Sequence, residues 1–124
     1  INWQGEDLVP VRKEFKVQHP HVEARTEEEC DMMRLRLGIE VHSDGGAEIA
    51  KPIECLEELP FPDWAAEVMR DKGWQGATPI QVQGWPVAMA GNDVIGIAST
   101  GSGKTMAYVL PMLVHIMAQP ELKP

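Results

Sequence analysis

The chain has little positive charge to spare. Eleven Lys and Arg stand against nineteen Asp and Glu, a formal net charge of −8. The deficit is uneven: residues 1–60 carry seven basic and fourteen acidic side chains, net −7, and residues 61–124 carry four and five, net −1. Gripping a nucleic-acid backbone takes clustered Lys and Arg. No such cluster occurs, so any surface that holds nucleic acid is expected outside these residues. Cysteine is also scarce. Cys30 and Cys55 lie on unrelated segments, and neither belongs to a C-x-x-C pair. That points to a reduced, intracellular setting, and each thiol reads as buried and inert. No run approaches the roughly 18 apolar residues of a membrane span, so no membrane partner is expected. The start, Ile1-Asn2-Trp3-Gln4-Gly5, lacks the basic-then-apolar order of a secretory signal. Met is absent at position 1, which reads as an excised piece. Repeats and low-complexity tracts are missing as well.

What is present becomes more regular toward the C-terminal half. Residues 1–25 mix Pro10, Pro20, charges and scattered apolar side chains, and read as an extended arm. "RTEEECDMMRLRLG" predicts a helix. Thr26 and Glu29 form a T-x-x-E capping box, Cys30, Met33 and Leu37 share a face, and Gly38 ends it. The acidic run Glu27 to Glu29 suits a first helical turn. "IEVHSDGG" alternates like a short strand running into a Gly turn, and "KPIECLEELPFP" is a Pro-punctuated connector. Pro62 opens a helix that stops at Gly73. Thr78 caps another, with Pro79 at its first position and a kink or short break expected at Pro86. "DVIGIA" reads as a buried parallel strand. A nearly all-apolar helix, "KTMAYVLPMLVHIMA", follows. A lone parallel strand and an all-apolar helix both need partners, so the chain reads as the front part of a larger α/β domain.

Between that strand and that helix lies Ala98-Ser99-Thr100-Gly101-Ser102-Gly103-Lys104-Thr105. It matches a phosphate-gripping loop, G-x-x-x-x-G-K-[ST], except that Ala98 replaces the first Gly. Small residues let successive backbone N–H groups face phosphate oxygens, and the helix N-terminus favours the same anion. Lys104 is placed to reach the β- and γ-phosphates, and the Thr105 hydroxyl to bind Mg²⁺. Upstream, "GWQGATPIQ" runs from Gly73 to Gln81, and Gln81 precedes Lys104 by 23 positions.

Together the two elements resemble the opening of a DEAD-box RNA helicase. That family has G-x-x-x-x-T-P-x-Q before a loop of the form A-x-T-G-x-G-K-T, so Ala98 follows the family's own habit. "QGWP" and the arm "FKVQHPHVEARTEEE" resemble one subgroup, so the likeness covers nearly the whole chain. It implies an α/β fold: an incomplete RecA-like P-loop NTPase lobe, a parallel sheet flanked by helices, behind a mostly extended and helical arm. Residues 1–55 would be the extension, and residues 56–124 the start of the lobe.

The resemblance implies an ATP-dependent RNA helicase that remodels RNA duplexes or RNA–protein complexes, nuclear or cytoplasmic, using ATP and Mg²⁺. Its implied nucleotide-contacting residues are Leu56, Gly73, Thr78, Pro79, Gln81, Ser99, Thr100, Gly101, Ser102, Gly103, Lys104 and Thr105, with Lys104 and Thr105 catalytic. Gln81 is assigned to adenine, whose N6 donor and N7 acceptor match a carboxamide. Thr78 serves equally as a helix cap and as a contact to the loop. Where the family stacks an aromatic on adenine, 17 positions before Gly73, this chain has Leu56, which implies weaker base binding. The motifs that hydrolyse ATP and contact RNA are expected past residue 124, so these residues alone would bind nucleotide without turnover. The readings that compete are a non-catalytic module docking a protein partner through its arm, and another P-loop enzyme such as a kinase or GTPase.

Other candidates are weaker. His19-Pro20-His21 offers two imidazoles, but no third metal ligand is in view, and both read as loop residues. Trp64 and Trp85 read as packing residues, as does Phe61, and Trp74 lies in the loop on the adenine side.

Overall fold

A proline inside a helix decides how the middle of the chain is fastened. In the computed structural model, which describes residues 10–46, 48–74 and 76–121, five helices follow one another. They are α1 (Pro20–Ala24), α2 (Glu27–Leu37), α3 (Asp63–Asp71), α4 (Pro79–Met89) and α5 (Lys104–Met117). Short 3₁₀ turns occupy Asp44–Gly46 and Leu56–Glu58. Residues 1–9 of the expected arm lie outside the described residues, as do 122–124.

Pro86 has no N–H for the carbonyl of Val82. The helix is nevertheless unbroken from Pro79 to Met89, and the freed carbonyl accepts the N–H of Ile53 at 3.1 Å. The expected break becomes a docking point: the connector is pinned to α4 where proline left an acceptor open. Gln83, one residue on, donates to the Ala50 carbonyl at 2.7 Å and accepts from Arg34 Nε at 2.9 Å. One buried amide thus ties α2, the connector and α4 together.

The helix ends follow local chemistry. Thr26 accepts from Glu29 N–H at 3.2 Å while Glu29 Oε2 accepts from Thr26 N–H at 2.7 Å, completing the capping box. Gly38 closes α2 at φ 66°, a left-handed conformation that costs a side chain about 1–2 kcal/mol. Helix α1 was not anticipated. His19 caps it, with Nδ1 accepting from His21 N–H at 3.3 Å, and Pro20 sits at its first position. Lys51 Nζ reaches back to the carbonyls of Glu23 and Arg25, at 3.0 and 2.6 Å.

Val22 from the arm and Ile53 from the connector share one core with Leu59, Ala65, Met69, Trp85 and Leu110, and Leu56, Phe61 and Trp74 pack on its edge. Phe61 meets Trp85 edge to face at 5.4 Å. Trp64 departs from its expected packing role and is 38% exposed. Beneath this core, Arg25 is buried and paired to buried Glu58 at 3.2 Å, and also donates to the Pro52 carbonyl.

Ahead of α1, the arm lies on the ends of α4 and α5. Phe15 N–H donates to the Met89 carbonyl at 2.7 Å. Arg12 N–H donates to Gln119 Oε1 at 3.0 Å, and Gln119 Nε2 donates back to the Arg12 carbonyl at 2.9 Å. Gly91, at φ 80°, sits where any Cβ would collide with the Lys13 carbonyl, so glycine is required there.

Two expectations fail. Neither "IEVHSDGG" nor "DVIGIA" is a strand, and no strand occurs among the described residues. Ile95 and Ile97 are each 92% exposed rather than buried. A strand exists only through a ladder of hydrogen bonds to a neighbouring strand, and among the described residues neither segment is paired in such a ladder. The apolar run keeps its composition without a ladder to join. The thiols also divide. Cys30 is buried as expected, whereas Cys55 is exposed. Burial, then the nearby Glu27 carboxylate, pushes the Cys30 thiol up; partial desolvation, then a hydrogen bond with Glu57, pushes Cys55 up. Both are thereby poor nucleophiles at neutral pH.

Candidate nucleotide-binding site

The loop between Ala98 and Lys104 is held open by two glycines. Gly101 and Gly103 take φ of 76° and 85°, a region closed to most side chains. Between them, Ser102 N–H donates to the Ser99 carbonyl at 3.3 Å. Gly103 is the residue before α5, so its left-handed turn swings the chain straight into the helix. The first N–H groups of α5 have no partners within the helix, and they carry the positive end of its dipole. Lys104 and Thr105 begin that helix. Lys104 Nζ donates to the Ala98 carbonyl, keeping its ammonium folded against the loop. Thr105, Ser99 and Thr100 are exposed to solvent.

Gln81 is the central connection. It is buried to 2% exposure at the start of α4. Its Oε1 accepts from Thr78 N–H at 3.0 Å, and its Nε2 donates to the Gly103 carbonyl at 3.1 Å. The side chain is therefore not a solvated helix residue. It bridges the T-P-x-Q turn to the last residue of the loop, with one amide hydrogen and one carbonyl lone pair left over. A Cβ on Gly103 would collide with Gln81 Nε2 and lie 3.1 Å from Thr78 Oγ1.

Pro79 is exposed at the first position of α4. Gly73, at φ 69°, closes α3, its N–H donating to the Arg70 carbonyl at 2.9 Å. Leu56 is half-buried on the core cluster beside Trp74. So the structure joins Thr78, Gln81 and Gly103 directly, with Lys104 next in the chain, while Leu56 packs on the core and Gly73 is exposed at the end of α3.

One contributor was not singled out for the site from the sequence. Trp85 is fully buried, and its indole N–H donates to the Met106 carbonyl at 2.9 Å. Met106 is two residues past Lys104, so this bond sets the height of the α5 N-terminus against α4. The signal was the Trp of "QGWP" itself, four residues after Gln81 and on the same side of α4.

Two hydroxyls bear on whether these residues suit a nucleotide. Among the described residues, Thr78 Oγ1 and Ser102 Oγ are buried without a hydrogen-bond partner. Orphaned buried polar atoms are rare in folded proteins, and both of these flank the loop. Together with the free N–H groups of α5 and the Lys104 ammonium, they form a donor-rich cradle that fits phosphate oxygens.

Comparison with known proteins bears on the same segment. The DEAD/DEAH box helicase domain matches residues 78–124. This chain belongs to the DEAD-box helicase family. Among relatives of this DEAD-box chain, the ATP-dependent RNA helicase dbp2 of Schizosaccharomyces pombe is 42% identical over 123 residues, 99% of this chain and 22% of that protein. DEAD-box ATP-dependent RNA helicase 30 of Arabidopsis thaliana is 47% identical over 116 residues, 94% of this chain and 19% of the relative. In three dimensions, the crystal structure of the yeast DEAD-box splicing factor Prp28 superposes with a TM-score of 0.66 at 30% identity, covering 82% of this chain and 23% of that one. The chain thus spans about a fifth of the length of the curated relatives it matches. Among the described residues, no helix is long and apolar enough to cross a membrane.

Proposed function

We propose that this chain is the ATP-gripping front part of an ATP-dependent RNA helicase, acting inside the cell in the nucleus or cytoplasm. The observation that carries the reading is the Gln81 bridge from Thr78 N–H to the Gly103 carbonyl. A phosphate loop alone serves many enzymes. A buried glutamine clamped onto the last loop residue ties base recognition to phosphate recognition, which a kinase or GTPase reading does not call for.

In this reading, residues 56–124 open a RecA-like lobe and residues 1–55 are an extension laid against it. The apolar run Val94–Ile97 supplies a strand of a parallel sheet once neighbouring strands flank it. The backbone N–H groups from Ser99 to Thr105 and the Lys104 ammonium hold the phosphates. Thr105 offers its hydroxyl to Mg²⁺. The remaining amide hydrogen and carbonyl lone pair of Gln81 would pair with the adenine edge. Bound ATP supplies the phosphoryl group that hydrolysis releases. The residues here bind and orient it, and Trp85 keeps α5 at the height the cradle needs. RNA is held by other parts of the longer protein, in keeping with the acidic balance of this stretch, and the arm's outer face is available to a protein partner.

The test is competition. Displacing a fluorescent ATP analogue with unlabelled ATP and GTP is expected to show ATP preferred by roughly tenfold or more, since a two-point amide contact to a base discriminates by about 1–3 kcal/mol. Equal displacement, or a preference for GTP, would overturn the assignment of Gln81. A second expectation concerns Leu56. An aromatic stacked on a base is worth about 1–3 kcal/mol. Leu56→Phe is expected to tighten ATP binding about fivefold or more, read by the same displacement assay. Unchanged affinity would show that position 56 serves the core alone.

A further inference from the structure

The two histidines of "HPH" lacked a third ligand in the sequence, and the fold provides one. The ligand atoms of His19, His21 and Glu58 all lie within 4.8 Å of one another. The imidazoles stand edge to face, centroids 5.0 Å apart at 81°. His19 and His21 bracket the first residue of α1, whereas Glu58 ends the 3₁₀ turn Leu56–Glu58 far along the chain. We propose that these three side chains bind a divalent transition metal of the Zn²⁺ class, which clips the arm to the turn that carries Leu56.

The donor set favours such an ion. Two imidazoles and one carboxylate with an open fourth position is a recognised Zn²⁺ arrangement. Tetrahedral coordination at about 2.0–2.2 Å needs ligand atoms roughly 3.3 Å apart. His21 is exposed, so its ring is free to turn inward and close the gap, and it also provides the path of entry. Glu58 is the fixed member. It is 4% exposed; its Oε2 accepts from Glu54 N–H at 2.6 Å and its Oε1 from Arg25 Nη2 at 3.2 Å. Ligating carboxylates are commonly oriented by such outer hydrogen bonds, and each oxygen keeps a lone pair.

Two features oppose the metal, and they set how tightly it is held. Arg25 is a cation beside Glu58. Its charge is shared, because Glu54 Oε2 lies 3.8 Å from the same nitrogen, and Glu57 adds an exposed carboxylate on the same turn. Arg36 approaches Glu54 from the solvent side at 3.9 Å, where screening is strong. The guanidinium therefore weakens the site without cancelling its negative charge. The other cost is the cap of α1. His19 Nδ1 accepts from His21 N–H at 3.3 Å, and an imidazole ligating through either nitrogen gives up that bond. At that length it is a weak bond, so little is lost. The site is thus one that binds and releases its ion.

The experiment is calorimetric titration of Zn²⁺ into the chain carrying Cys55→Ser, which removes an exposed competing thiol. One equivalent is expected to bind saturably, and Zn²⁺ is expected to raise the unfolding temperature. In the same background, His21→Ala, and separately His19→Ala, should each weaken binding at least about tenfold and abolish the thermal shift. His21 is exposed, so its replacement leaves the fold intact to be measured. Glu58→Gln, checked for folding by circular dichroism, should do the same where it folds. Absence of saturable binding, or an affinity unchanged in the His19→Ala/His21→Ala double variant, would overturn the proposal.

Discussion

Lys104→Ala in the intact protein is expected to lower nucleotide affinity by at least about 100-fold. Hydrogen bonds to charged groups contribute about 1.5–3 kcal/mol each, and in the proposed reading the Lys104 ammonium meets two phosphates. Losing both removes roughly 3–6 kcal/mol, and every 1.4 kcal/mol is tenfold. The fold should survive the change. Among the described residues, Lys104 donates to the Ala98 carbonyl alone, at a half-buried edge of the loop, and that carbonyl can turn to water. Unchanged far-ultraviolet circular dichroism with lost binding is the expected pair of results. Retained affinity would count against the role assigned to the loop, whatever the Gln81 bridge does.

Arg25→Ala is expected to be the most destabilising single change, by about 3–5 kcal/mol in urea denaturation. Arg25 is 8% exposed and Glu58 4%. Removing the guanidinium leaves a buried carboxylate without its counter-charge and strips the Pro52 carbonyl of its donor. Breaking a buried pair in this way costs far more than the pair contributes against an apolar substitute. The double variant Arg25→Met/Glu58→Gln should therefore lose clearly less than the two single changes summed. Strict additivity would show that the two residues act independently.

What could be read from the sequence was local. The capping box at Thr26 and Glu29, the Gly38 stop, the Thr78-Pro79 start and the glycine turn into Lys104 each involve partners within a few residues, and each is found. What escaped were pairings decided by the whole chain. Nothing near Arg25 names Glu58, 33 residues later. Gln81 was assigned to a base, yet its buried amide grips Gly103, because only the packing of α4 on α5 brings them together. The two strands failed for the converse reason. "DVIGIA" has strand composition, but strand structure belongs to a pair, and its pair is not among the described residues. Helix α1 was legible and overlooked: a capping side chain, Pro20 at the first position and acidic Glu23 were all present. Cys55 and Trp64 show that apolar character alone does not assign an inside position on a connector or a short helix.

The clasp between Arg12 and Gln119 has a consequence for how the molecule is made. Its two hydrogen bonds join positions 107 apart. During synthesis the arm emerges before α4 and α5, and at about 5–20 residues per second it waits several seconds before Gln119 exists. Until then its Arg12 end has nothing to close against, while the Phe15 bond to Met89 becomes available earlier. The arm is therefore fastened in sequence, first near α4 and last at α5, and its closure marks completion of this stretch of chain. A nascent chain stalled before Gln119 would carry the Arg12 end of the arm unfastened.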